Sequence, residues 1–139
     1  MTSDKIKIHK LEERGDAIKG RVYNWVVGQR KIQEIPIFYR TKGVSPEGHF
    51  HTGKDKSCDP QFVVLFKGRI NFKLEYLNGE KQEITLNEGE MIEIPKFVFH
   101  SYEAEEEIIF AEPRETEYRE PNDKGDYAAF KLLQEQYDK

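Results

Sequence analysis

Short stretches in which apolar and polar residues alternate follow one another along nearly the whole chain. They cover residues 5–9, 21–27, 32–40, 61–67, 69–77, 81–86, 91–94, 98–103 and 107–112. Gly, Pro, Asn or Asp separates them at roughly the 8–12-residue spacing of sandwiches and barrels. A side-chain period of two suits strands and not helices, so the pattern predicts an all-β body. The clearest stretch is 69–77, where Ile70, Phe72, Leu74 and Tyr76 alternate with Arg69, Asn71, Lys73 and Glu75, one face buried and the other wet. Asn78-Gly79 then marks a hairpin. A two-residue loop would set Ile84 opposite Lys73 and Leu86 opposite Asn71, on the wet face. The loop Asn78-Gly79-Glu80 instead pairs Leu74 with Ile84 and Phe72 with Leu86, and this is the expected register, with Gly79 left-handed.

Beyond Pro113 the composition turns to Arg, Glu, Asp and Pro, which predicts a surface connector over residues 113–124. From Asp126, a natural N-cap, Tyr127, Phe130, Leu133 and Tyr137 recur on one stripe and predict a helix over about 126–137. The 139 residues, 37% of them hydrophobic, suffice for one core, so the reading is a single domain with its barrel over about 5–112. No apolar run approaches the ~20 residues of a membrane helix, and the first ten residues lack a signal peptide's apolar stretch, so a cytoplasmic protein with no membrane partner is expected. The single cysteine, Cys58, excludes an internal disulfide and a cysteine-built zinc site. Acids and bases are interspersed apart from Glu103, Glu105, Glu106 and Glu107, and with a net charge of −4 no basic stripe is offered to nucleic acid. Charged residues make up 35% of the chain, a bias shared with thermophile ion-pair networks.

Three of the four histidines form a pattern. His49 and His51 are two apart, so on an extended strand both imidazoles leave one face and can converge on one ion, which a helix would forbid at that spacing. His100 lies in a later strand-like stretch, and Gln61, at the head of another, can present an amide oxygen to the same point.

At these residues the chain resembles the cupin superfamily. Gly43 and five residues lead to His49-Phe50-His51, and Gln61 and six residues lead to Gly68; Gly89 and five residues lead to Pro95, with His100 two residues after Phe97. The match runs from about Gly43 to Ala104. The resemblance implies a double-stranded β-helix, the jelly-roll cupin barrel, here with one C-terminal helix. It also implies a divalent metal ion (Mn, Fe, Ni or Zn) on His49, His51, Gln61 and His100. The sequence departs from the pattern in four ways: nine residues separate His51 from Gln61, Gln61 replaces a glutamate, Phe97 a glycine and Ala104 an asparagine. An amide leaves a divalent ion its full charge and disfavours trivalent iron.

Three functions fit this reading. The first is a metal-binding cupin acting on a small oxygen-bearing organic molecule, by isomerase- or dioxygenase-type chemistry. The second is a metal-free deoxysugar-nucleotide epimerase or ketoisomerase, a cupin class to which Leu11–Asp16, with its Arg-Gly turn, bears a loose resemblance. There His49 or His51 would take a proton next to a ketone and Tyr102 return it, with Arg21, Arg30 and Arg40 available to a diphosphate. The third is a non-enzymatic sensor or binding barrel. Cys58, in a charged insertion, is expected to be a surface thiol, and His9 to be structural or solvent-facing. Asp55, Asp59 and Glu47 are loop carboxylates that could replace the missing glutamate. Ile6, Ile8, Val22, Trp25 and Val27 offer more apolar strand surface than one small barrel covers, which predicts a homodimer.

Overall fold

The alternating stretches fold as strands in a computed structural model that describes residues 5–25, 30–117 and 119–137. The strands are β1 (Lys7–Lys10), β2 (Glu12–Asp16), β3 (Gly20–Asn24), β4 (Ile37–Arg40), β5 (Phe50–His51), β6 (Gln61–Lys67), β7 (Arg69–Glu75), β8 (Lys81–Asn87), β9 (Glu90–Ile94), β10 (Phe99–Ala104), β11 (Ile108–Ala111) and β12 (Lys124–Gly125). One five-stranded antiparallel sheet has the order β1-β9-β6-β11-β4. The facing layer is β10-β7-β8, extended by β12-β5 through a bridge between His49 and His100. The two layers enclose a core in which Leu65, Ile70, Leu86, Ile92, Val98 and Ile108 are fully buried. This is a jelly-roll of the cupin type with, among the described residues, one α-helix, α1 (Tyr127–Gln136), towards its C-terminal end. The part of stretch 21–27 that includes Val27 lies outside the described residues. Among the described residues no helix is long and apolar enough to cross a membrane.

The β7–β8 hairpin differs from expectation. Its three-residue loop is Leu77-Asn78-Gly79, closed by the Tyr76 N–H donating to the Glu80 carbonyl at 2.9 Å, and Phe72 faces Ile84 while Leu74 faces Gln82. The inward parity survives because the register has moved by two residues. The cause is Leu77: it is fully buried beside Phe50 and Phe130 under α1, so it leaves the ladder one position early. Gly79 has φ +91°, as the loop requires, and Asn78 Oδ1 accepts from the Glu80 N–H.

A bulge interrupts the β6–β11 ladder. Ile109 faces Lys67, but Phe110 faces Leu65 and Ala111 faces Val64, so Phe66 has no opposite number and is pushed outward.

The stretch expected to be a surface connector is only partly at the surface. Arg114 is buried against Asp55 at 2.5 Å, and Asp123 is buried. Both are charged residues kept inside by paired or multiply bonded partners, a condition composition does not reveal. The helix begins as expected, with Asp126 accepting from the Ala129 N–H at 2.9 Å. Asp126→Ala is expected to lower stability by about 1 kcal/mol, measured by urea unfolding, whereas Asp126→Ser should be nearly neutral.

Ile6 packs on the main core, and Trp25 meets Phe62 edge-on at 5.8 Å, so two of the residues expected at a dimer surface are used within the chain. Ile8 and Val22 remain exposed.

Candidate active site

Strand pairing assembles the histidines. His49 and His100 exchange backbone hydrogen bonds, at 3.1 and 2.9 Å, which brings the His-Phe-His strand alongside β10. Alternation sends His49 and His51 to the inside while Phe50 points outward into the cluster with Leu77 and Phe130. The turn before β10 is fixed by the Phe97 N–H donating to the His51 carbonyl at 2.8 Å. Phe97 has φ +60°, the left-handed conformation that the glycine of the family pattern would adopt without strain. The fold keeps the conformation and spends the side chain on the Phe50 cluster.

The three rings are 4.5–5.6 Å apart between centroids, and one ligating nitrogen from each lies within 4.8 Å of the others. Their tautomers follow from their partners. His51 Nδ1 lies 3.1 Å from Asp123 Oδ2 and donates to it, and His100 Nδ1 donates to the Val98 carbonyl at 3.0 Å. Both Nε2 atoms therefore carry bare lone pairs. That of His51 is 3.1 Å from His49 Nε2, which makes His49 the donor, while that of His100 is buried with no partner. Burial keeps all three rings neutral: it holds His49 down at about 4 with help from His51, and it lowers His51 in spite of the Asp123 charge. Complete burial, with His49 and His51 adding to it, drives His100 well below its usual value.

This has a consequence for stability. In the unfolded chain His49 takes up a proton near pH 6.5, in the folded chain only near 4, so the unfolded state binds more protons between those values. Above 6.5 the group is neutral in both states and stability is intact; as pH falls from 6.5 towards 4 stability is lost. Melting temperatures across this window should fall less steeply in His49→Gln than in the wild type.

Asp123 is the residue the sequence hid. Its Oδ1 accepts from Thr52 Oγ1 at 2.8 Å and from the Thr52 and Lys54 N–H groups at 3.1 and 3.0 Å, and its Oδ2 faces His51. Burial alone would raise its pKa, but these donors and His51 hold the carboxylate below its usual range. The 52–60 insertion thus wraps an acid that belongs to the last strand pair, β12 lying against β5. Cys58 is not the surface thiol expected: the single turn at Lys56–Cys58, capped by Asp55, carries it inside against Asp123, and burial pushes it up to about 12.

Gln61 and Glu112 face each other across β6 and β11. Gln61 Nε2 donates to Glu112 Oε1, while Gln61 Oε1 is buried without a hydrogen-bond partner. Burial raises the Glu112 carboxyl pKa, partly offset by the Gln61 donor. Glu112 was legible in principle, because it continues the inward parity of Ile108 and Phe110. Two cavities meet here. One, of about 180 Å³, is walled by Phe72, Ile94, Phe110 and Tyr102. The other, of about 470 Å³, is walled by Asp123, Lys124, Arg114 and Arg119. His49, Gln61, Glu112 and Phe38 line both. Tyr102, packed on Phe72 and Phe110, shares the smaller cavity with His49 and His100.

The remaining expected residues divide. Glu47 and Arg40 line the smaller cavity. Asp59 faces Lys96 at 3.5 Å, and His9 pairs with Glu93 at the surface. Arg21 binds Glu88, and Arg30 lies over the Phe62 ring and donates to the Pro60 carbonyl, so neither of these two lines either cavity.

A cupin-type barrel with convergent histidines and a buried histidine–aspartate pair is the class this chain represents. No family model matches it, and no curated protein matches it by sequence. Among solved structures, it is similar to a sugar 3,4-ketoisomerase from Thermoanaerobacterium thermosaccharolyticum in complex with TDP, with TM-score 0.71 and 14% identity over 95% of this chain and 96% of that one. It is similar also to a 3,4-ketoisomerase from Helicobacter canadensis (TM-score 0.73, 16% identity, 92% and 96% covered). A third similar structure is the dTDP-4-dehydrorhamnose 3,5-epimerase from Sulfolobus tokodaii (TM-score 0.71, 17% identity, 88% and 78% covered).

Proposed function

We propose that the chain is an isomerase or epimerase of a nucleotide-linked keto-deoxysugar that works by proton transfer at the carbon next to the ketone. The observation that carries this reading is the buried His51–Asp123 pair with His49 beside it at the junction of the two cavities. It is supported by the shared fold with TDP-sugar ketoisomerases and an epimerase. The His49–His51 couple is the base. The two rings share one proton across 3.1 Å, and the proton taken from carbon leaves a positive charge on the couple, which Asp123 stabilises without itself being protonated. Breaking the C–H bond puts its electron pair into an enediolate; reprotonation at the same carbon completes an epimerisation, and reprotonation at the former carbonyl carbon, with the hydroxyl proton passing from the old hydroxyl oxygen to the former carbonyl oxygen, moves the ketone. Tyr102, on the wall of the smaller cavity, is the group that returns the proton when the opposite face is used. The test is NMR of TDP-4-keto-6-deoxyglucose in D₂O. Wild type should exchange the carbon-bound proton next to the ketone and His51→Ala should not; wild type without exchange would overturn the reading.

The convergence of three neutral imidazoles favours a second reading, a divalent metal site. His49, His51 and His100 fit one, because Asp123 and the Val98 carbonyl fix two of the rings with Nε2 inward, as outer partners of metal-bound histidines do. A metal would act there as a Lewis acid on a substrate oxygen. Elemental analysis of untagged protein separates the readings: stoichiometric Mn, Fe, Ni or Zn that is lost in His100→Ala supports the metal, and full activity after chelation supports the histidine base. The proposal includes a homodimer using the exposed Ile8 and Val22, for which light scattering at micromolar concentration should give twice the chain mass.

A further inference from the structure

We propose that Gln61 and Glu112 form a hydroxyl-recognition pair that reads one ring hydroxyl of the sugar and so sets which sugars the barrel accepts. This inference rests on the nucleotide-sugar reading and adds to it the residues of specificity. The β6–β11 ladder sets Ala111 opposite Val64, so Glu112 follows opposite Val63, an inward core position, and Gln61 is its diagonal neighbour on the same face. The amide is not free to turn. Its Nε2 is committed to Glu112 Oε1, which leaves Oε1 of Gln61 as a buried acceptor with no protein partner. Glu112 lines the same cavities as Gln61.

A buried acceptor without a partner is costly, so a ligand that supplies a donor there recovers more than one that meets a paired group. Both residues line both cavities, together with His49, and the smaller cavity is walled mostly by aromatic and aliphatic side chains, with Arg40, Glu47, His100 and Ser101 as its further polar groups. A sugar carbon held against the histidines therefore presents its neighbouring hydroxyl to the pair. Sites built to bond a hydroxyl reject the analogue that lacks it, because the protein groups are then left unpaired.

The test is calorimetric binding of TDP, TDP-glucose and its 2-deoxy and 3-deoxy analogues to the full chain. Wild type should bind TDP-glucose at least about tenfold more tightly than one of the deoxy analogues, the size of one hydrogen bond to a buried group. In Gln61→Met that discrimination should vanish while affinity for TDP alone is unchanged. Glu112→Gln, which keeps the shape and an acceptor oxygen, serves as a second variant and should reduce the discrimination without abolishing TDP binding. Equal affinity of wild type for TDP-glucose and both analogues overturns the pair and leaves the isomerase reading standing, as does discrimination that survives in Gln61→Met. Discrimination present without proton exchange on the keto-sugar upholds the pair and overturns the isomerase chemistry. Failure of TDP-glucose to bind at all overturns both.

Discussion

Asp123→Asn is expected to lower proton exchange by about 10⁴-fold with little change in melting temperature. Asparagine fills the same space, and Thr52 and Lys54 can still donate to its oxygen, as they do to Oδ1 of the carboxylate. Its amide nitrogen then faces His51 Nδ1 and forces that atom to accept, which moves the ring proton to Nε2. A base with its proton on the wrong nitrogen cannot take another, and the negative charge that would stabilise the imidazolium is gone as well; a misplaced imidazole tautomer has an effect of this size in other histidine-based enzymes. The measurement is the D₂O exchange rate beside a thermal melt. A rate within tenfold of wild type would show that Asp123 only anchors the 52–60 insertion. Asp123→Ala should lower both rate and stability, because the Thr52 and Lys54 donors lose their acceptor.

The largest effect on stability is expected from Phe130→Ala, about 3–5 kcal/mol and a fall in melting temperature of roughly 10 °C or more. Phe130 is fully buried and meets Phe50 at 5.5 Å and Phe99 at 5.6 Å between ring centroids. Phe50 stands between His49 and His51, and Phe99 precedes His100, so a single side chain of the C-terminal helix braces both histidine-bearing strands from behind. Activity should therefore fall even at temperatures where the variant is folded. Leu132→Ala on the exposed side of the same helix should cost less than about 0.5 kcal/mol, and a comparable loss at both positions would contradict the packing argument.

What could be read from the sequence was whatever depends on local alternation and spacing. The period-two stretches revealed the barrel, the His-x-His spacing placed two imidazoles on one inner face, and the stripe after Asp126 gave the helix with its cap. What could not be read depends on contacts between distant segments. Asp123 sits in a run of charged and turn-forming residues with no periodicity, and only the pairing of β12 with β5 makes it a partner of His51. Leu77 belongs by pattern to the strand before the hairpin, but burial under a helix fifty residues later draws it out of the ladder. Cys58 lies in a charged insertion, and a single turn capped by Asp55 reverses its exposure. The loop carboxylates were the reasonable substitutes for the missing glutamate, yet the acid beside Gln61 comes from the adjoining strand.

That acid faces inward because of the irregularity at Phe66. With an unbroken ladder Glu112 would stand opposite Val64, whose side chain joins Leu11, Phe62 and Met91 on the other side of the sheet; with Phe66 left out of the count it stands opposite Val63. The polarity of the barrel's interior at this point is thus decided by whether a run of residues is odd or even, independently of which residues they are. Deleting Phe66, itself exposed and remote from every histidine in sequence, would close the bulge and leave Ile109 opposite Lys67, Phe110 opposite Leu65 and Glu112 opposite Val63, with the inner face unchanged. Loss of the bulged residue is therefore silent at the reactive lining, whereas pairing it in register, with Phe110 opposite Phe66, would turn Glu112 outward in a single step that no substitution in the wall could make.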